Sequence, residues 1–353
     1  MEQASGKIGV VMMNVGTPDS PEPSDVRRFL KEFLSDPRVL DINPVGRWML
    51  LNLIILPFRP RKSGEAYREI WTEEGSPILV HSRRFEEKLQ GVLGERYMVR
   101  FAMRYGNPSY KKALDEMMEA GVERIIAFPL YPQYASSSTG TCLEAVYTYL
   151  SEHWNVPDVA SIAPFYDDES FLHSIVASGE SVLEEFKADH VLFSFHGVPE
   201  RHVTKSDPSG EHCLKKKDCC ATICAENTFC YRAQCFVTAR KTAEKLGLGE
   251  DDYTVCFQSR LGRTPWIQPY TDELIIELAE KGVKRIAVFC PAFVADCLET
   301  LEEIGMQAKE DFVEAGGEDL ILVPSLNSSD EWVESARQLV VRADAGAPRS
   351  NAA

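Results

Sequence analysis

The sequence predicts an α/β protein made of two Rossmann-like domains with parallel sheets, related by internal duplication. Three observations predict it. Ile8–Met13, Arg124–Phe128, Val191–Phe195 and Arg285–Phe289 are continuous rather than alternating apolar runs, the pattern of strands covered on both faces. Stretches with helical periodicity, such as Tyr110–Ala120 and Asp272–Lys281, separate them. Finally, Gly121-Val-Glu-Arg-Ile-Ile-Ala-Phe128 recurs as Gly282-Val-Lys-Arg-Ile-Ala-Val-Phe289. Upstream of each copy, Arg104-Tyr-Gly106 matches Arg260-Leu-Gly262, and downstream Cys142-Leu-Glu144 matches Cys297-Leu-Glu299.

The first strands of the two halves also correspond, one ending on Gly16-Thr-Pro18 and the other on Gly197-Val-Pro199. The expected division is an N-terminal domain at 1–160, a C-terminal domain at 161–342 carrying a cysteine-rich insert at 213–235, and a disordered tail at 343–353, rich in Gly, Ala, Pro and Ser. No G-x-G-x-x-G follows the first strand, so the architecture brings no dinucleotide signature. The formal net charge of −16 repels phosphate backbones, which excludes nucleic acid as a partner. Residues 1–7 show neither the charged nor the apolar region of a secretory leader, so the expected location is the cytoplasm. The longest apolar run, Trp48–Leu56, is too short to span a bilayer, which needs about 20 residues.

Val191–Phe195 leads into His196, and Gly197, Val198 and Pro199 then turn the chain. A titratable imidazole is thus presented at the carboxyl end of a strand, where ligand crevices form in open α/β sheets. After the last repeat strand, Asp296, Glu299 and Glu303 stand at i, i+3 and i+7, and on a helix such carboxylates share one face. The duplication puts Glu299 and His196 beyond strand ends of the same domain. Imidazole and carboxylates together suit a borderline divalent metal such as Fe²⁺ and also accept protons.

The motifs that carry these residues resemble the ferrochelatase family over nearly all of residues 7–340. They include Asn14-Val-Gly-Thr-Pro18, the stretch from Arg59 to Tyr67, Gly75-Ser-Pro77, Arg104-Tyr105 and Tyr131-Pro-Gln-Tyr134 with Ser138-Thr-Gly140. Ser194-Phe-His-Gly197, Gln258-Ser259 with Pro265-Trp266, and Phe293-Val-Ala-Asp-Cys-Leu-Glu-Thr300 complete the set. The resemblance implies insertion of Fe²⁺ into protoporphyrin IX with release of two protons, the last step of haem biosynthesis. It assigns His196 and Glu299 to the metal-insertion site on opposite sides of the macrocycle, with Asp296 and Glu303 continuing an acidic path for iron or protons. It also implies that Val15, Tyr67 and Trp266 line the porphyrin cleft, and that Arg59, Ser76 and Arg104 meet propionates or hold the pocket. Trp48–Leu56 corresponds to the family's apolar lip, which implies peripheral membrane contact at most.

Two positions depart from parts of the family. Cys297 stands where some members carry histidine, and its thiol either ligates iron or packs. Val15 stands where members that metalate coproporphyrin III tend to carry tyrosine, and an apolar residue there fits protoporphyrin IX. The alternatives in function are a coproporphyrin III ferrochelatase, a cobalt chelatase acting on a reduced tetrapyrrole, and a non-catalytic tetrapyrrole-binding iron–sulfur sensor or haem carrier.

Six of the ten cysteines lie in Cys213-x5-Cys219-Cys220-x3-Cys224-x5-Cys230-x4-Cys235, ahead of a helix expected over Phe236–Leu246. No pair is C-x2-C, which disfavours a zinc ribbon. Some bacterial ferrochelatases look similar here and hold a [2Fe-2S] cluster, for which four thiolates suffice. Adjacent cysteines point apart in most backbone conformations, so one of Cys219 and Cys220 drops out. The chosen ligands are Cys213, Cys220, Cys230 and Cys235, with Cys219 and Cys224 as alternates. Structural zinc in the same ligands, or unligated thiols, are the other readings.

Overall fold

A computed structural model describes residues 6–262 and 264–346. Strand β1, Ile8–Thr17, is buried at every position except Val15, as its unbroken apolar run requires. It lies between β2, Tyr97–Gly106, and β3, Arg124–Pro129, and β4, Asp158–Ser161, pairs on the outer edge of β3. All pairings are parallel, in the order β2-β1-β3-β4. A second parallel sheet contains β5, His190–His196; β6, Tyr253–Gln258; β7, Arg285–Phe289; and β8, Asp319–Leu322. Its order is β6-β5-β7-β8, the arrangement of the first sheet repeated. In each sheet the first strand of the copy is central, and successive connections leave it toward opposite edges. Such a switch in direction opens a crevice at the carboxyl end of that strand.

Helices close the faces. Ser109 caps Tyr110–Glu119 by accepting from Lys112 N, and this helix turns Ala113, Leu114 and Met117 into the core beside Val11, Met13 and Ile125. In the second sheet, Ile275, Leu278 and Ala279 of helix Thr271–Glu280 pack in a cluster with Leu192, Ile286 and Val288.

The described chain forms two units. One comprises residues up to Tyr131, then 136–163 and the chain from Ser328 on; the other comprises Pro132–Ala135 and Pro164–Asn327. Helix Asp330–Asp344 therefore belongs with the first sheet, whereas the sequence division grouped 161–342 together. The reason is its apolar face: Trp332 is fully buried, stacks on Phe85 at 5.4 Å and meets Phe128 at 6.3 Å. Of the tail expected at 343–353, Ala343 and Asp344 end this helix, and 347–353 lie outside the described residues.

The apolar run begins in helix Pro44–Met49, passes through the π-helical stretch Leu50–Ile55 and enters helix Leu56–Ile70. Leu51, Ile55 and Leu56 are buried, while Val45, Trp48, Met49, Leu53, Ile54 and Phe58 are exposed. No helix among the described residues is long and apolar enough to cross a membrane.

Candidate functional site

His196 is the last residue of β5, paired in register with Gln258 at the end of β6. Its Nδ1 lies 2.6 Å from the Gly197 carbonyl oxygen. A carbonyl only accepts, so Nδ1 carries the proton and Nε2 keeps its lone pair for a ligand. The turn after β5 is zipped to the segment before residue 268: Glu200 N donates to Pro265 O at 3.0 Å, Ile267 N donates to Val198 O at 3.1 Å, and Pro199 bridges Trp266. This pairing brings the Trp266 ring to 6.4 Å from the His196 ring, and Phe293 lies 6.2 Å away. Gly197 is required by close approach: a Cβ there would sit 2.9 Å from Gln258 O and 3.2 Å from the Trp266 ring.

The expected acidic helix is shorter than its sequence pattern. Helix Leu298–Leu301 has four residues and continues, after a turn at Glu302, as the π-helical stretch Glu303–Ala308. Asp296 precedes the helix, so the three carboxylates do not share one face. It is buried, with Oδ1 accepting from Thr300 Oγ1 at 3.1 Å and Ser325 N at 3.3 Å, and Oδ2 accepting from Asn327 Nδ2 at 2.7 Å. Cys297 is the extended residue that starts the helix, where its thiol and the Thr300 side chain form a reciprocal cap. Burial pushes the Cys297 thiol well up, and the adjoining Glu299 carboxylate pushes it further, so it packs as a neutral cap.

Glu303 and Glu299 remain half-exposed, and Glu303 lies within electrostatic reach of both His196 and Glu299. Glu303 accepts from Ser259 N at 2.7 Å and from Ser259 Oγ at 2.5 Å. Burial pushes its carboxyl above the ordinary range; the Ser259 hydroxyl and the His196 imidazole oppose this, while Glu299 adds to it. Ser259 makes both bonds from a left-handed backbone, φ 66°, which is costly for a residue with a Cβ. Gln258, which the sequence motif contained without a role, ties the parts together. Its Nε2 donates to the Glu299 carbonyl at 2.6 Å and its Oε1 accepts from Ser194 Oγ at 2.8 Å. Its own carbonyl accepts from Gly197 N at 2.8 Å.

In the first unit, Val15 is the half-buried exception near the end of β1, its N–H donating to Asn14 Oδ1 at 2.8 Å. Ser76 is buried and accepts from Thr17 Oγ1 at 2.8 Å. Tyr67 is buried against Trp71, and Arg59 is exposed on the same helix. Arg104 directs Nε to Thr141 Oγ1 at 2.8 Å and Nη2 to Asp36 Oδ2 at 3.0 Å. Tyr105 and Thr141 also donate to Asp36, and these hydrogen bonds outweigh its burial and hold the Asp36 carboxyl below the usual range. Two of the Arg104 donor nitrogens are thus committed to fixing the ends of β2 and helix Thr141–Ser151.

A family model described as Ferrochelatase matches residues 7–344. The chain belongs to the ferrochelatase family. A ferrochelatase of Coxiella burnetii is 45% identical over 335 residues, covering 95% of this chain and 93% of that protein. One from Stutzerimonas stutzeri is 46% identical over 337 residues, covering 95% and 97%. One from Legionella pneumophila is 44% identical over 334 residues, covering 94% and 98%. Among solved structures, SirB from Bacillus subtilis with Fe³⁺ shares the fold at a TM-score of 0.56 and 12% identity, over 96% of each chain. The protein is therefore a metal chelatase, with a porphyrin and iron as its substrates.

The cysteine insert of this ferrochelatase has no helix or strand between Lys205 and Tyr231, and the next helix, Tyr231–Lys245, starts earlier than expected. Four buried thiols converge. Cys219 Sγ lies 3.8 Å from Cys220 Sγ, Cys213 and Cys230 are buried with them, and the Cys230 thiol bears on the ionisation of both Cys213 and Cys220. The adjacent pair therefore does not point apart, because its turn conformation folds both thiols inward. Cys235 sits fully buried within the helix, where burial pushes its thiol well up. Burial pushes Cys213 up to about 11, and the Arg232 guanidinium stands 3.1 Å from Cys220 Sγ. Asp207 shapes the approach, accepting from Cys213 N at 2.9 Å, His212 N at 2.8 Å and Ser209 N at 2.9 Å.

Because both oxygens of Asp296 are engaged inside the fold, Asp296→Asn turns one acceptor into a donor facing donors. The expected loss is about 1–3 kcal/mol of unfolding free energy, read by denaturant titration. Unchanged stability with impaired iron insertion would instead make Asp296 part of the iron or proton path.

Proposed function

We propose that this ferrochelatase inserts Fe²⁺ into protoporphyrin IX, with His196 Nε2 accepting pyrrole protons and the Glu299 and Glu303 carboxyls carrying charge and protons away from it. The observation that carries this reading is the fixed tautomer of His196: its Nδ1–H is spent on Gly197 O, so the free lone pair lies on Nε2, in a half-buried ring flanked by Trp266 and Phe293. The reaction balances as Fe²⁺ plus the free-base porphyrin giving the iron porphyrin and two protons. A flat ring hides its nitrogen lone pairs from the ion, so binding that favours a bent ring supplies part of the barrier. The raised carboxyl of Glu303 can hold a proton nearer neutrality than an ordinary glutamate. Asp296, with its oxygens engaged, is proposed as a positioning residue for the turn carrying Glu299. Val15, Tyr67 and Trp266 are proposed porphyrin contacts, Arg59 a propionate contact, and Ser76 and Arg104 residues that hold these contacts in place.

Val15 supports protoporphyrin over coproporphyrin, since vinyl groups need apolar neighbours where propionates need donors. The exposed apolar side chains Trp48, Leu53, Ile54 and Phe58 support a peripheral membrane contact. None of the ten cysteines is paired in a disulfide, which supports a reducing, cytoplasmic location.

A [2Fe-2S] cluster fits the insert by its donor set, four convergent buried sulfurs in a segment with no regular structure to hold it. Cys213, Cys220, Cys230 and Cys219 are the proposed ligands, with Cys219 replacing Cys235. Bound there, the cluster supplies a cross-link between distant parts of the insert and a redox-active centre. Cys213→Ser, Cys219→Ser and Cys230→Ser should each abolish the visible absorbance of the purified protein, while Cys235→Ser keeps it. Loss in Cys235→Ser with retention in Cys219→Ser would restore the sequence-based set.

The function is tested by anaerobic Fe²⁺ insertion with protoporphyrin IX and coproporphyrin III in parallel, followed by loss of porphyrin fluorescence. Protoporphyrin should be preferred, and His196→Ala should abolish turnover while porphyrin binding survives. A preference for coproporphyrin, or near-normal turnover in His196→Ala, would overturn the respective assignment. Ser259→Gly tests Glu303, because glycine keeps the left-handed backbone and its N–H but removes the Oγ–H donor. Losing a bond to the ionised carboxyl raises its pKa further, so the acidic limb of the pH–rate profile should move to higher pH by about one unit. An unmoved limb would remove Glu303 from proton transfer.

A further inference from the structure

The insert holds a second set of ligating side chains besides its four convergent thiols. His212, Cys224 and Glu226 each offer one donor atom, and the three atoms lie within 4.8 Å of one another. We propose that this triad is a separate binding site for a divalent transition-metal ion of the zinc and ferrous class.

Geometry is the first argument. His212 Nε2 and Cys224 Sγ are 3.7 Å apart. A tetrahedral ion with zinc-like bond lengths to sulfur and nitrogen holds those two atoms about 3.6 Å apart. An ion can therefore enter without refolding the turn.

The second argument is that buried polar side chains are spent on placing the triad. Asn227 is fully buried; its Oδ1 accepts from Cys224 N at 2.7 Å, and its Nδ2 donates at 2.8 Å to both Cys219 O and Thr222 O. His212 is held at its backbone by Asp207 Oδ2. Such bonds fix the ligand-bearing backbone before any ion arrives, which lowers the cost of binding.

Donor chemistry narrows the ion. Thiolate and imidazole reject Mg²⁺ and Ca²⁺, which take oxygen ligands, and favour Zn²⁺, Fe²⁺ or Co²⁺. All three residues are half-exposed, so at least one coordination position faces water. His212 Nε2 also lies 3.1 Å from Cys219 O. On metal binding, the ring proton moves to Nδ1 and the Cys224 thiol proton is released to solvent, one proton per ion.

The test uses the full chain with its cluster and Zn²⁺ alone as the probe, by equilibrium dialysis and metal analysis. The wild-type protein should hold one more tightly bound Zn²⁺ per chain than Cys224→Ser or Glu226→Gln, whose affinity at this site should fall at least tenfold. Iron insertion and the visible absorbance should stay unchanged in both variants. Equal zinc counts in all three proteins would overturn the site. So would loss of visible absorbance in Cys224→Ser, which would make Cys224 a cluster ligand. Should Cys224→Ser fail to fold, Glu226→Gln and His212→Gln, altered at half-exposed side chains, decide the matter by the same counts.

Discussion

The amide of Gln258 is the interaction on which the arrangement of His196, Glu299 and Glu303 depends. It lies buried at the end of β6 and bonds in three directions: to Ser194 of β5, to the backbone of the Glu299 helix and, through its own carbonyl, to the turn that follows His196. An amide is suited to this because it donates and accepts at once and stays neutral at every pH. A carboxylate there would repel Glu303, and an apolar residue would leave the Ser194 hydroxyl and the Glu299 carbonyl to find other partners. Ser259, the next residue, then turns left-handed and gives Glu303 two donors. Local strain is thus placed beside Glu303, and the parallel ladder on either side holds it there.

In the proposed reaction, this arrangement meets two opposed demands of metal insertion. A dicationic ion is attracted by ionised carboxylates, whereas pyrrole protons must be taken up by groups that hold them briefly at neutral pH. A row of exposed carboxylates satisfies the first demand and fails the second, since an ordinary glutamate is too weak a base. Partial burial of Glu303 shifts the balance, and the Ser259 bonds together with the nearby imidazole keep the shift from going so far that the charge is lost. The His196 tautomer completes the proposed division of labour, with one ring nitrogen spent on the Gly197 carbonyl and the other left with its lone pair.

Much of this was legible in the sequence because periodicity and repetition are local signals. The four main apolar runs became the central strands, and the repeat around Gly121 and Gly282 became two sheets of identical strand order. The tight turn after His196 is written in Gly197 and Pro199. Asp296 was misplaced because i, i+3, i+7 spacing says nothing of where a helix starts; Cys297 adopts an extended conformation and begins the helix after Asp296. The last helix was assigned to the wrong sheet for a related reason, since its amphipathic pattern shows that it covers a core without showing which one. Only packing, with Trp332 against Phe85 and Phe128, decides that.

The cysteine insert shows the opposite limit. From Ser206 to Cys230 no ladder or helix offsets the entropy of ordering the chain, which runs to about 1–2 kcal/mol for each residue fixed. What orders it in the structure is a small number of side chains that bond to backbone: Asp207 at one end and Asn227 at the other, each satisfying several buried N–H or C=O groups. These bonds bring the sulfurs together, but burial discourages the Cys213 and Cys219 thiols from ionising, as the Cys230 thiol and burial together do for Cys220. A metal bound there, as proposed, would supply the positive charge that lets such thiols ionise, and each metal–sulfur bond would add to the stability of the insert. Sequence spacing could show that thiols were abundant, but which of them meet is set by two polar residues that carry no thiol.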